Sequence, residues 1–136
     1  MRALQVMLVL LVPANPLHEL THVAFARPFA SSTSVERSGF AVWANLEWEA
    51  GTPVAWIRLA HLAPTLTGVT IACVSAPLLP LYARFVDVVG QATASLVGVP
   101  DAAPELSVLV AVSMLVNWLA FTWPSYSDIF PFGGER

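Results

Sequence analysis

Charged side chains are scarce in this chain: they make up 11% of its 136 residues, about half the share of a typical soluble protein. Lysine is absent, and six arginines against nine acidic residues give a formal charge of −3. The chain therefore lacks the basic patch that nucleic-acid binding requires. Because 57% of its residues are hydrophobic, disorder is excluded as well. What remains is one small integral membrane domain, residues 1–136.

Cysteine is almost missing too. Cys73 is the single cysteine and lies within an apolar run, so a disulfide framework and a cysteine-based metal site are both excluded. Any metal ion must therefore be held by histidine and carboxylate side chains.

Long apolar runs predict about three transmembrane helices, at residues 3–26, 59–83 and 106–127. Prolines inside the runs predict kinks, and a weaker segment at 85–100 predicts a partial fourth helix. A secretory signal is the alternative interpretation of the first run, because Arg2 precedes an apolar stretch that ends near the small residue Ala14. The expected localisation is the cell membrane, as a multi-pass protein embedded in the lipid bilayer.

A small β-hairpin is predicted between the first two helices. Residues 40–48 place apolar side chains at every second position, which is typical of a strand with one dry face. Residues 49–53 have the composition of a turn, and residues 54–57 are predicted to form a short return strand. The Ser/Thr run at 31–34 is composed like a loop. The predicted fold class is thus mainly α, with several membrane helices and one hairpin.

The first apolar run contains His18-Glu19-Leu20-Thr21-His22, an HExxH sequence. On a helix, this spacing places His18 and His22 one turn apart on one face, where both imidazoles can reach one zinc ion. Glu19 lies further around the helix and can take a proton from the water that the metal activates. In the competing interpretation, the three side chains are hydrogen-bonded structural residues. Burying two histidines and an acid at membrane depth without a function is costly, however.

A catalytic zinc ion normally has three protein ligands, so the third must come from elsewhere in the chain. Asp128 is preferred because it follows the third run, where Pro124 breaks the helix. Its alternative role is a cap, since Ser125 and Asp128 fit an S-x-x-D capping pattern. His61 is a second candidate ligand and is equally suited to an interfacial position. The remaining candidates are acidic: Asp87, Glu36 and Glu47.

Asn117 is the one strongly polar side chain inside the third run, eleven residues before Asp128. A structural interpretation gives it a hydrogen bond between helices. In the catalytic interpretation, it donates to the substrate carbonyl or to the oxyanion that forms from it.

Two segments resemble a known family. The sequence HELTHVAFAR, residues 18–27, resembles the first core segment of site-2 protease-type membrane zinc metalloproteases. Residues 117–128 are similar to the third core segment, in which an asparagine precedes a proline and then the aspartate that binds zinc. Three spans with a β-rich loop between the first two also match. The resemblance implies Zn²⁺ held by His18, His22 and Asp128, with Glu19 and Asn117 as catalytic residues.

The expected function is hydrolysis of peptide bonds in membrane or membrane-proximal protein substrates. A substrate must be extended, because a helix hides its carbonyls, and strand addition along residues 40–48 would hold it. Two alternatives come from other classes: a non-catalytic membrane protein that binds metal for structure or delivery, and a scaffold subunit without metal.

Overall fold

A computed structural model describes residues 14–39 and 41–132 of the chain. These residues form five α-helices and one antiparallel hairpin: α1 (Ala14–Ala26), β1 (Ala30–Ser38), β2 (Ala41–Trp48), α2 (Val54–Ser75), α3 (Leu79–Leu96), α4 (Ala103–Thr122) and α5 (Tyr126–Ile129). Short 3₁₀ turns precede α3 and α4, at Ala76–Leu78 and Pro100–Ala102. The prediction of a mainly helical fold with a hairpin between the first helix and the later ones is confirmed.

The buried side chains of α1 form one stripe with a spacing of four residues, which follows one face of a helix: Ala14, His18, His22 and Ala26. Large apolar side chains such as Leu17 and Leu20 point away from this stripe and are exposed. Residues 3–13, the start of the predicted first span and the body of the alternative signal interpretation, lie outside the described residues.

The dry face predicted for the strand at residues 40–48 is present in β2. Along β2, half-buried and exposed side chains alternate, and the half-buried set is Val42, Ala44, Leu46 and Trp48. This face packs against α1. Residue 40, the predicted start of the strand, lies outside the described residues.

The predicted strand partner was wrong, because β2 pairs with β1 and not with residues 54–57. The Ser/Thr run that resembles a loop belongs to β1 and finds its polar partners in the sheet. Ser32 pairs with Glu47, and its hydroxyl donates to the Glu47 carboxylate at 2.7 Å. Gly39 lies in the two-residue connection and has the positive φ, 60°, that short hairpins favour.

Residues 54–57 form the first turn of α2, where a return strand was predicted. Pro53 directly before the helix has a φ of −60°, and the helix continues through Arg58 into the long apolar run. The Trp56 indole N–H donates to the Phe25 carbonyl at 3.1 Å, and its ring contacts Phe29 edge-on at 4.9 Å. These contacts fasten the start of α2 to the end of α1.

Within residues 14–39 and 41–132, two helical stretches are long and apolar enough to cross a membrane, Val54–Leu96 and Pro100–Thr122, where the sequence predicts about three spans. The first stretch covers the predicted second span and most of the segment at 85–100. It consists of two helices, because α2 ends at Ser75 and α3 begins at Leu79. Pro77 and Pro80 lack the N–H groups that a continuous helix needs there. The helix of the third predicted span ends at Thr122, as the helix break predicted at Pro124 requires, because Pro124 favours an extended Trp123, with ψ of 119°.

Helices α3 and α4 pack closely because small residues face each other. A Cβ atom on Gly90 would lie 2.7 Å from the backbone nitrogen of Ser107 and 2.8 Å from its Cα.

Substitution Gly90→Ala is therefore expected to push the two helices apart and lower the free energy of unfolding by about 1–3 kcal/mol. Thermal unfolding in micelles, followed by circular dichroism, measures this. Ala92→Leu on the exposed face of α3 is the control, and equal stability of the two variants would contradict the prediction.

Candidate metal centre

Three buried side chains lie close together, two from α1 and one from α5 near the other end of the described residues. His18 and His22 are 6% and 4% exposed, and Asp128 of α5 is 5% exposed. The two histidine Nε2 atoms lie 3.1 Å apart. The Asp128 carboxylate lies 3.5 Å from His18 Nε2 through Oδ2 and 3.2 Å from His22 Nε2 through Oδ1. This group could hold a metal ion.

The spacing of these groups is close to that of ligands on one metal ion. Bonds of about 2.0–2.1 Å in a tetrahedron separate neighbouring donor atoms by about 3.3–3.4 Å. The two imidazole nitrogens lie 3.1 Å apart, and each faces a different carboxylate oxygen, at 3.5 Å for Oδ2 and 3.2 Å for Oδ1. Three ligands form one face of a tetrahedron and leave its fourth corner for water or substrate, which is the pattern of catalytic zinc sites.

Both histidines are oriented by backbone carbonyls. His18 Nδ1 lies 2.7 Å from the Phe121 carbonyl, and His22 Nδ1 lies 2.9 Å from the Ala60 carbonyl. A carbonyl only accepts hydrogen bonds, so each Nδ1 must carry the hydrogen, and in the neutral rings the lone pairs are at Nε2. Two lone pairs and a carboxylate facing one another at about 3 Å repel unless a proton or a metal cation lies between them.

Asp128 forms the cap that its sequence context suggested, and its carboxylate also lies beside the two histidines. Its backbone N–H donates to the Ser125 hydroxyl at 3.3 Å, and its Oδ2 accepts the Ser125 N–H at 2.6 Å, which together form a capping box at the start of α5. The same carboxylate faces the two histidines. The cap therefore holds the carboxylate in the orientation that a ligand needs.

Asp128 is ionised in this environment. Burial raises the pKa of its carboxyl group, but the rings of His18, His22 and His61, which donate to it when their facing nitrogens carry a hydrogen, outweigh burial and hold the pKa well below its usual range. A metal ligand must be deprotonated, so the carboxylate meets this requirement at neutral pH.

Glu19 lies next to His18 but belongs to a different face of α1. It is half-buried, and its Oε2 accepts the Ala44 N–H of β2 at 2.8 Å. Ala44 pairs with Val35 on its other side, so this N–H points away from β1. One carboxylate oxygen of Glu19 is thus held by the hairpin, while the side chain stays outside the three-residue group.

The other candidate residues lie at different distances from the group of His18, His22 and Asp128. His61 is the nearest, with Nδ1 3.9 Å from Asp128 Oδ1 and a side chain 19% exposed. Asn117 donates to the Ser113 carbonyl of its own helix at 2.9 Å, and no contact with the group is observed among the described residues. Three acids lie elsewhere, on the hairpin or on the exposed side of α3: Glu36, Glu47 and Asp87.

Backbone groups complete the site, and sequence reasoning missed them. The Phe121 carbonyl lies in the last turn of α4, where carbonyls lack helical partners. Pro124 marks that helix end in the sequence, so a search for unpaired carbonyls near it could have found this acceptor. The Ala44 N–H had no comparable signal, because the alternating pattern of a strand describes its side chains and not the direction of its N–H groups.

Comparison of the chain with family models, curated proteins and solved structures finds no match.

Proposed function

We propose that this protein is a membrane-embedded zinc endopeptidase of the site-2 protease type. The observation that carries the proposal is the buried group of His18, His22 and Asp128, which could hold a metal ion, with Glu19 next to His18 on the same helix. Two imidazoles and one carboxylate are a common ligand set of hydrolytic zinc sites.

The ligand residues would hold zinc and leave one corner open. When bound, zinc lowers the pKa of a water molecule toward about 7 and polarises a carbonyl. The Phe121 and Ala60 carbonyls keep the two imidazoles turned with Nε2 inward. The Ser125 cap does the same for Asp128.

Glu19 is the proposed general base. The Ala44 N–H binds one oxygen of its carboxylate and leaves the other free to accept a proton from water and to return it to the departing amine. Glu19 and His18 are neighbours on α1, so one rigid helix sets the distance between the proposed base and the first proposed ligand.

The free side of β2 is the proposed substrate strand site. A peptide that pairs with this side would offer a carbonyl to the Ala44 N–H and release the Glu19 carboxylate that holds it now. A cavity of about 900 Å³ opens on Asp128 and is lined by Arg58, Leu62 and aromatic side chains of α5 and the residues after it. It provides room for the residues next to the scissile bond.

A multi-pass position in the cell membrane is supported by the distribution of apolar side chains. Buried positions are mostly small or polar, whereas Val74, Leu79 and Leu96 are 65–87% exposed. A soluble protein rarely exposes so many large apolar residues, but lipid solvates them. The expected partners are the bilayer and membrane protein or peptide substrates, and nucleic acid is not expected.

A non-catalytic metal-binding membrane protein is the second candidate. The observation that favours it is the hydrogen bond between Glu19 and Ala44, which fastens the hairpin to α1 without any role in hydrolysis. In this case the protein would hold zinc and cleave nothing.

Removal of the metal tests the proposal. The full chain, reconstituted in liposomes with single-span model peptides, is expected to cleave them, to lose that activity with a zinc chelator and to regain it with added Zn²⁺. Added Mg²⁺ is the control and should not restore cleavage, because it prefers six oxygen ligands. Cleavage that survives complete zinc removal contradicts the proposal, and zinc binding without any cleavage favours the second candidate.

A further inference from the structure

The carbonyl that orients His22 lies in the interior of a helix, where carbonyls are normally occupied. In an α-helix, the carbonyl of residue i accepts the N–H of residue i+4. For Ala60, within the 22 residues of α2, that residue is Pro64. Proline has no N–H, so this helical hydrogen bond cannot form.

The unused carbonyl is buried and has one side-chain donor. Ala60 has no exposed surface, and His22 Nδ1 lies 2.9 Å from its oxygen. A buried carbonyl without a donor is costly, and so is a buried imidazole N–H without an acceptor. Each group satisfies the other across the contact between α1 and α2.

His18 also binds a backbone carbonyl that lacks its helical donor, but here the donor is lost at a helix end. The Phe121 carbonyl would accept the N–H of Ser125 if α4 continued, but α4 ends at Thr122 and the Ser125 N–H donates to Asp128. His18 Nδ1 takes the vacant acceptor. Both imidazoles therefore bind carbonyls that helix geometry has left free, one at a helix end and one at a proline.

We propose that Pro64 is a positioning residue of the metal site. Its missing N–H frees the Ala60 carbonyl, which fixes the tautomer and the ring orientation of His22 and so turns Nε2 toward the metal. A proline in a helix interior is destabilising. Pro64 is fully buried, and a role in orienting His22 of α1 gives a reason for its presence there. The inference rests on the metal site of the proposed function.

The matched variants separate the N–H group from the side chain. Pro64→Ala restores an N–H that competes with His22 for the Ala60 carbonyl. Replacing Pro64 by lactic acid, through an ester in the backbone, introduces the same methyl side chain without an N–H. Pro104→Ala is the control for proline removal, because Pro104 lies in the first turn of α4, where an N–H has no helical partner.

Two measurements on the full chain in micelles decide the inference. Pro64→Ala is expected to weaken zinc binding about 10–100-fold in competition with a fluorescent chelator, the usual effect of losing a partner that orients a ligand. The lactic-acid variant and Pro104→Ala should bind zinc like the wild type. In the zinc-free protein at neutral pH, ¹⁵N shifts of the His22 ring should show a hydrogen on Nδ1 in the wild type and a mixture of tautomers in Pro64→Ala.

Three outcomes would overturn the inference: unchanged zinc affinity in Pro64→Ala, equal losses in the alanine and lactic-acid variants, or an unchanged His22 tautomer. Failure of the proposed function looks different. In that case the wild type either binds no zinc or binds zinc and cleaves nothing, whereas the tautomer measurement still reports on Pro64.

Discussion

Substitution Glu19→Gln is expected to reduce peptide cleavage by about 10²–10⁴-fold, the usual contribution of a general base, while zinc stays bound. Glutamine has the same shape, and its carbonyl oxygen can still accept the Ala44 N–H, so the hairpin stays attached to α1. It cannot take a proton from water at neutral pH. The measurements are the initial cleavage rate in liposomes and the zinc content of the same preparation.

The control is Glu47→Gln, which makes the same chemical change on the exposed side of β2. Its carboxylate contacts Ser32 and lies outside the metal group, so its cleavage rate should match the wild type. Wild-type cleavage by Glu19→Gln would exclude Glu19 as the base. Loss of both zinc and activity would instead assign Glu19 a role in building the site.

Substitution Asp128→Asn is expected to weaken zinc binding by at least about 100-fold, more than the loss of an outer partner costs. The amide oxygen of asparagine can still accept the Ser125 N–H, so the cap of α5 is kept while the negative charge is lost. A neutral amide is a poor ligand for zinc. Zinc affinity, measured by competition with a fluorescent chelator, reports the change.

His61→Ala is the comparison that identifies the third ligand. His61 Nδ1 lies 3.9 Å from Asp128 Oδ1, outside the three-residue group, so this variant should lose about tenfold or less in zinc affinity. The reverse pattern, with Asp128→Asn unchanged and His61→Ala strongly weakened, would make His61 the ligand and leave Asp128 with its capping role alone.

The HExxH spacing was sufficient to predict half of the site. Residues four apart share one face of a helix whatever surrounds it, so His18 and His22 could be placed together from the sequence. The capping pattern of Ser125 and Asp128 was also local, and it is present. The meeting of these two segments was an expectation that only the packing of α1, α4 and α5 could test.

The hairpin shows the limit of local patterns most clearly. The alternation of β2 correctly predicted its half-buried face, because that pattern belongs to a single strand. Its partner depends on contacts between strands, and the polar composition of β1 gave no sign of them. Residues 54–57 have apolar side chains suited to either state, and their continuation into a long helix decided the outcome.

Composition and the apolar runs in the sequence determined the mainly helical class. The HExxH motif determined that His18 and His22 share one helix face. Both properties depend only on neighbours within a few residues. The tertiary structure alone decided that Asp128 faces them from 106 residues beyond His22, that the Glu19 carboxylate is held by Ala44, and that two backbone carbonyls orient the imidazoles. Such contacts join segments far apart in sequence, so they form only when helices and hairpin pack together.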